Sequence, residues 1–283
     1  MYDIQAAIAQ AAAQGPNMAE GQKMGSGEFA PPAEGWGYCR LIKYIELGVH
    51  TEEFKGQPKK REKVYLAWEL SGPQHPVKED GTPHVIGFTE TLSLVDKANF
   101  FKLFSRLNYD KTCTHFAQLL GKPFRCRVVH KVVGEGDNQR KYANLRDDAG
   151  YTIVPPFVEV FDEATGAVSS KLVTVPEAKT PLQCFLWNFA TKEMWDSIFI
   201  DGHWEAKTND KGEEISPPKS KNYFQNRIKS ADNFAGSVIA ELLFAGGTPD
   251  VPEAEAPARV AAVAQAAQDA KVGAAADPLM EEY

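Results

Sequence analysis

The stretch KGQPKKREKVYLAWEL, residues 55–70, decides how the chain is read. Five basic side chains, Lys55, Lys59, Lys60, Arg61 and Lys63, fall within nine residues, and the run then passes without a break into alternation. Val64, Leu66, Trp68 and Leu70 take one side and Lys63, Tyr65, Ala67 and Glu69 the other, the period of a β-strand with one buried face. A cluster of cations at the mouth of a strand reads either as a solvated hairpin loop or as a grip on an anion. The surrounding sequence decides between the two.

Upstream, WGYCRLIKYIEL (36–47) alternates in the same way, with Cys39, Leu41, Ile45 and Leu47 opposed to Arg40, Ile42, Tyr44 and Glu46. Downstream, the breaker-rich SGPQHPVKEDGTP is a turn and HVIGFTETLSL (84–94) is a third β-prone run. The period then changes. Val95, Ala98, Phe101 or Phe104 and Leu107 recur at helical spacing over 93–107, with Ser93 placed to cap, and a short helix over 113–120 stops at Gly121. FRCRVVHKVV (124–133) and QRKYANLRD (139–147) are the fourth and fifth strands. The order β-β-β-α-β-β predicts a mainly β protein with α additions, its core the five-stranded Greek-key barrel of the OB-fold, whose ligand face is built on strands 2 and 3 and the 1–2 and 4–5 loops. Those loops are GVHTEEFKGQPKKRE (48–62) and GEGDNQRK (134–141), so the basic cluster falls where this architecture holds an extended ligand.

The flanks differ in composition. Residues 1–35 form an Ala/Gln/Gly-rich arm with a short helix expected at 3–13, 36–150 the core, and 151–245 an extension with helices near 190–199 and 226–245. The Ala/Pro/Glu-rich 246–283 is a linker with an acidic tip. The net charge of −7 is uneven: 36–150 carries nineteen bases and fourteen acids, whereas 246–283 carries two bases and seven acids. A basic block inside an acidic chain points to an anionic ligand for that block. No apolar run approaches the roughly 20 residues that span a bilayer, and the N-terminus lacks the flank of a secretory signal. A cytoplasmic protein with no membrane partner is expected. Cys39, Cys113, Cys126 and Cys184 are scattered, without metal-ligand spacing, and are expected to be reduced thiols.

Binding a single strand needs cations that track phosphates and aromatic faces on which bases stack. Lys55, Lys59, Lys60, Arg61 and Lys63, with Arg125, Arg127, Lys131, Arg140 and Lys141 on the fourth and fifth strands, supply the first. Tyr44, Tyr65, Phe88 and Tyr142 are the stacking candidates, and Trp68 belongs by its alternation with the core. Enzyme motifs are missing: there is no phosphate loop, no G-x-G-x-x-G, no H-E-x-x-H and no G-x-S-x-G, and the histidines stand singly. No enzymatic activity, cofactor or metal is expected. The terminal DPLMEEY sets Asp277, Glu281 and Glu282 around Leu279, Met280 and Tyr283, the form of a docking peptide for a protein partner.

YCRLIKYIELGVHTEEFKGQPKKREKVYLAWEL, TETLSLVDKANFFKLF and LLGKPFRCRVVHKVV…KYANL together resemble the single-stranded DNA-binding proteins of tailed bacteriophages, over roughly residues 36–150. SKNYFQNRIKSADNFAGS is similar to a C-terminal stretch of the same group. The resemblance implies an OB-fold, coating of single-stranded DNA during phage replication or recombination in the host cytoplasm, and recruitment of replication enzymes (polymerase, helicase or primase) through the acidic tip. Two alternatives stand beside it: a factor that anneals single strands, and a non-enzymatic OB module that binds another protein. Oligomeric state and a preference for DNA over RNA are left open by the residues.

Overall fold

β1 runs from Gly35 to Phe54, twenty residues where five or six is ordinary. It can be so long because it is twice interrupted. The register against β2 (Gln57–Ser71) shifts between Leu41 and Lys43 and again between Glu46 and Gly48, and each β-bulge turns the strand and exchanges its faces. The exchange corrects the expected alternation. Cys39, Leu41 and Tyr44 enter one hydrophobic core, while Ile45 and Leu47 enter another on the opposite face of the sheet. At the second bulge Gly48 has φ +82°, and a Cβ there would collide with the indole of Trp187, so the backbone approaches this ring as only glycine can.

The computed structural model describes residues 31–134, 139–163, 165–208 and 214–245. Most of the expected N-terminal arm, with its helix at 3–13, lies outside the described residues, as do most of the 4–5 turn and the whole of 246–283. Within them the protein is mainly β. β3 (Val85–Thr91), β2, β1, β4 (Pro123–Val133) and β5 (Arg140–Asn144) lie side by side in that order, antiparallel throughout. The two-residue strands β6 (Arg146–Asp147) and β7 (Gly150–Tyr151) form a small hairpin, and β8 (Ile153–Val154) pairs with β4. β9 (Phe157–Phe161) and β10 (Val168–Leu172) form a separate ribbon, and β11 (Gln183–Phe185) pairs in parallel with Lys43–Ile45 of β1.

Among the described residues β3 and β5 share no backbone ladder, so the sheet is open. Side chains span the gap: Phe88 on β3 stacks on Tyr151 with ring centres 4.8 Å apart, and the Tyr151 hydroxyl donates to Glu90. The guanidinium of Arg146 pairs with the same carboxylate at 3.7 Å.

Alternation predicts the first core well. Val64, Leu66, Trp68 and Leu70 of β2 and Phe124, Cys126 and Val128 of β4 all enter it, beneath α1 (Asn99–Leu107) and a 3-10 turn at Phe116–Leu119. α1 begins six residues later than expected. Ala98 takes the N-cap position with no side-chain bond, Ser93 stays outside, and the buried stripe is Phe100, Leu103 and Leu107.

The opposite face of the sheet, expected to be polar, is covered. Phe185, Trp187, Trp195, Phe224, Ile228 and Ile239, all from 183–245, pack on Ile45 and Leu47 with Tyr65 beside them. Polar groups on this face find fixed partners. Glu69 accepts the backbone N–H groups of Lys179 and Thr180, Glu46 accepts that of Trp187, and the buried Arg40 donates to the carbonyls of Gly121, Val175 and Pro176. The helix expected over 226–245 is two, α3 (Tyr223–Lys229) and α4 (Val238–Ala245), with Gly236 between them at φ +80°. The helix near 190–199 is α2 (Lys192–Ser197), its first turn capped by the Thr191 hydroxyl.

Candidate nucleic-acid interface

Residues 48–62, expected as a loop, are strand almost throughout. β1 and β2 stay paired to Phe54↔Gln57, and the reversal takes only Lys55 and Gly56, both at positive φ (54° and 76°), as a two-residue hairpin turn requires. The expected loop failed because its charges pair across the ladder: Glu52 stands opposite Lys59 and reaches Lys63 at 2.6 Å, so alternating polar residues hold strands together without an apolar face.

Cross-strand pairing places Phe54, Lys59 and Arg61 on one face of this hairpin and Lys60 on the other. The Phe54 ring is 47% exposed. Around it stand the Arg61 guanidinium at 4.7 Å from the ring centre, Lys55 at 5.6 Å and Lys59 at 5.7 Å. Three cations on one solvent-facing aromatic make a platform that can take a base on its free surface and phosphates at its rim. Below the tip, a cavity of about 470 Å³ opens between Lys59–Glu62 and the segment Glu90–Asn99.

A second group lies at the other end of β1. Trp36, 50% exposed, is covered by the Arg125 guanidinium at 4.9 Å, and Arg125 also donates to the carbonyl of Phe157 at 2.6 Å. The β4–β5 hairpin continues this group, pairing Lys131 with Tyr142, Val132 with Lys141 and Val133 with Arg140, all exposed. Because β4 runs antiparallel to the first residues of β1, the two groups are separated by most of that strand, roughly 60 Å of chain if it were straight.

Several expected contact residues are elsewhere. Tyr44 is buried in the first core, donates to Glu46 at 3.0 Å and is stacked on Phe116; burial and the Glu46 charge push its hydroxyl far above the usual tyrosine range. Tyr65 points to the second core and meets Phe224 edge-on at 4.9 Å. Phe88 spends its face on Tyr151. None of the three presents a free ring: a bulge turns Tyr44 inward, the segment 183–245 covers Tyr65, and Tyr151 covers Phe88. Lys63 is buried between Glu52 and Thr91, and Arg127 is paired with Asp147. Lys55, Lys59, Lys60, Arg61, Arg125, Lys131, Arg140, Lys141 and Tyr142 remain accessible. The partner residues Asp277, Leu279, Met280, Glu281, Glu282 and Tyr283 lie outside the described residues.

Sequence reasoning passed over the two best-placed aromatics. The sequence alone places Phe54 inside a loop; the Lys-Gly pair after it, flanked by residues that can form a ladder, is the signal for a tight hairpin with Phe54 at its tip. Trp36 stands in the sequence only as the first residue of the fold. Glu62, next to the platform, has its carboxyl raised above the usual range by burial and by the nearby Glu46. No family model matches the chain, and no curated protein or solved structure matches it. No helix among the described residues is long and apolar enough to cross a membrane.

Proposed function

We propose that this protein binds single-stranded DNA with little sequence preference and coats it, as the bacteriophage proteins it resembles do, without catalysing a reaction. The observation that carries the reading is the Phe54 platform: an exposed ring at a hairpin tip with Arg61, Lys59 and Lys55 around it. Stacking on the ring would be sequence-tolerant, since every base has a π-face, and the cations would neutralise backbone charge. The strand path β3-β2-β1-β4-β5, with α1 between β3 and β4 and the Phe88–Tyr151 stack across the open edge, supports an OB-type core. The test is anisotropy of labelled dT, dA, RNA and duplex oligomers at two salt concentrations. Salt-dependent binding of dT and dA well above duplex is expected; equal or absent binding of all four overturns the reading.

A second reading, annealing of complementary strands, is favoured by the presence of two aromatic and basic groups at opposite ends of β1. One strand held at each would bring two together. Acceleration of pairing between complementary labelled oligomers would separate annealing from coating.

A further inference from the structure

The cavity below the hairpin tip is walled in part by residues that belong to neither β1 nor β2. It is lined by Lys59, Lys60, Arg61 and Glu62 on one side and by Glu90–Ser93 and Lys97–Asn99 on the other. Four basic residues, Lys59, Lys60, Arg61 and Lys97, therefore line it, and none of them forms an ion pair among the described residues. Like charges gathered around one space repel one another, and an anion between them lowers that cost. Of the two acids that line it, Glu90 is engaged: it accepts the Tyr151 hydroxyl and the Thr91 N–H and faces Arg146. Glu62 has no ion-pair partner among the described residues, and burial with the nearby Glu46 shifts its carboxyl toward the neutral form, which lessens its repulsion of an anion.

Neutral donors complete the wall. The Ser93 hydroxyl forms no hydrogen bond among the described residues. β3 leaves β2 at Thr91↔Lys63, and the last bond along this edge runs from the Leu92 N–H to the Glu62 carbonyl. Beyond it the outer edge of β2 has no ladder partner among the described residues, and in an antiparallel ladder the groups of Lys60 face the same way as those of Glu62. Ala98 and Asn99, at the start of the nine-residue α1, also line the cavity, and that helix end has no side-chain cap, so its free N–H groups add partial positive charge. At about 470 Å³ the space holds more than a bare phosphate, liquid water occupying about 30 Å³ per molecule.

We infer that this cavity seats a sugar-phosphate unit of the bound strand, its phosphate held by Lys97 together with Lys60 and Arg61 and its sugar against Leu92 and Ser93. Arg61 joins the two parts of the site, because it lies over Phe54 and lines the cavity as well. A base on the platform and a phosphate in the cavity thus belong to neighbouring positions of one strand. The inference rests on the single-strand reading for its occupant but makes a claim about residues 91–99 that the reading does not need.

The experiment uses the full chain and 5′-hydroxyl dT oligomers, so that an internal phosphodiester is the group tested. Lys97→Ala should weaken dT binding and flatten the salt slope by about 0.7 units, the share of one phosphate on a single strand. Lys97→Glu should weaken it further, with the melting temperature of both variants unchanged. In parallel, amide NMR of wild type titrated with inorganic pyrophosphate should shift the signals of Ser93, Lys97 and Asn99, and the Lys97→Ala protein should lose that response. If wild type binds dT and both variants keep its affinity and slope, the cavity is off the path and the inference falls while the single-strand reading stands. If wild type does not bind dT, that reading falls, and pyrophosphate decides for the cavity alone: shifts confined to 91–99 and 59–62 support an anion seat, and their absence overturns it.

Discussion

The guanidinium of Arg61 lies 4.7 Å from the centre of the Phe54 ring, although six residues separate the two in sequence. The tight turn at Lys55–Gly56 brings them to one face of a two-stranded ribbon, where a charge and a half-exposed aromatic stabilise each other. Phe54→Ala should weaken single-strand binding by on the order of 1–3 kcal/mol, the cost of one lost base stack, and leave the salt slope nearly as it was. Thermal unfolding should move little, since the ring is outside both cores. An affinity equal to wild type in a titration with dT would remove the platform from the interface.

Charge on the same ribbon predicts a different signature. Replacing Lys59, Lys60 and Arg61 together with Glu should flatten the slope of log affinity against log salt by about two units, at roughly 0.7 per phosphate contact on a single strand. Exposed charges contribute little to stability, so the fold should persist by circular dichroism. A slope unchanged from wild type would move the phosphate contacts to the Arg125, Lys131, Arg140 and Lys141 group.

Tyr65 separates what alternation can and cannot tell. Its face of β2 was correctly predicted to oppose Val64, Leu66 and Trp68, but it was expected in solvent and is covered by Phe224. Nothing within residues 62–70 reports that a segment more than a hundred residues downstream will cover them. Tyr65→Ala should therefore lower stability by about 2–3 kcal/mol, less than a fully buried aromatic would cost, and leave the dT salt slope intact. Loss of DNA affinity with undiminished stability in urea would return Tyr65 to the interface.

The same limit explains Tyr44 and the basic ribbon. Strand identity and the first core were legible because Val64–Leu70 and Phe124–Val128 keep a strict period of two. A bulge leaves no mark in hydropathy, so the shift between Leu41 and Lys43 sent Tyr44 inward and parted it from Ile42 and Arg40. Strand in residues 48–62 was hidden because it is held by Glu52 and the lysines rather than by apolar side chains. The charge of the candidate site was readable from composition; its aromatics, Phe54 and Trp36, became visible only with the turn and the pairing.

Glu62 gives a pH-dependent prediction. Burial, with Glu46 nearby, raises its carboxyl, so the folded chain takes up this proton more readily than the unfolded one. That favours folding below the ordinary carboxylate range and is lost as pH rises through the raised value; at neutral pH the ionised group burdens the fold. Glu62→Gln should raise the melting temperature at pH 7.5, and the difference from wild type should shrink as the pH falls toward 4. Removing a negative charge from the cavity rim should also tighten dT binding at low salt. Equal melting temperatures at both pH values would show that the Glu62 charge carries no cost in the fold.

Residues 246–283 carry seven acids and two bases, opposite in sign to the unpaired cations of the β1–β2 ribbon. A segment of that charge would compete with the proposed DNA ligand for those cations when salt is low. Deleting it should tighten dT binding at low salt and change it little at 1 M, where a Debye length of about 3 Å removes the competition. Its last residues, Leu279, Met280 and Tyr283 among Asp277, Glu281 and Glu282, form a separate apolar and acidic tip, so one change can divide the two roles. Tyr283→Ala keeps every charge and should leave dT affinity at wild-type values at both salts while, if the tip is the proposed docking peptide, weakening capture of a replication enzyme, tested with purified polymerase, helicase or primase. If the truncated chain binds dT with the wild-type salt dependence, the acids do not reach the ribbon. If capture of the purified enzymes also survives the truncation, the proposed docking site is not in 246–283.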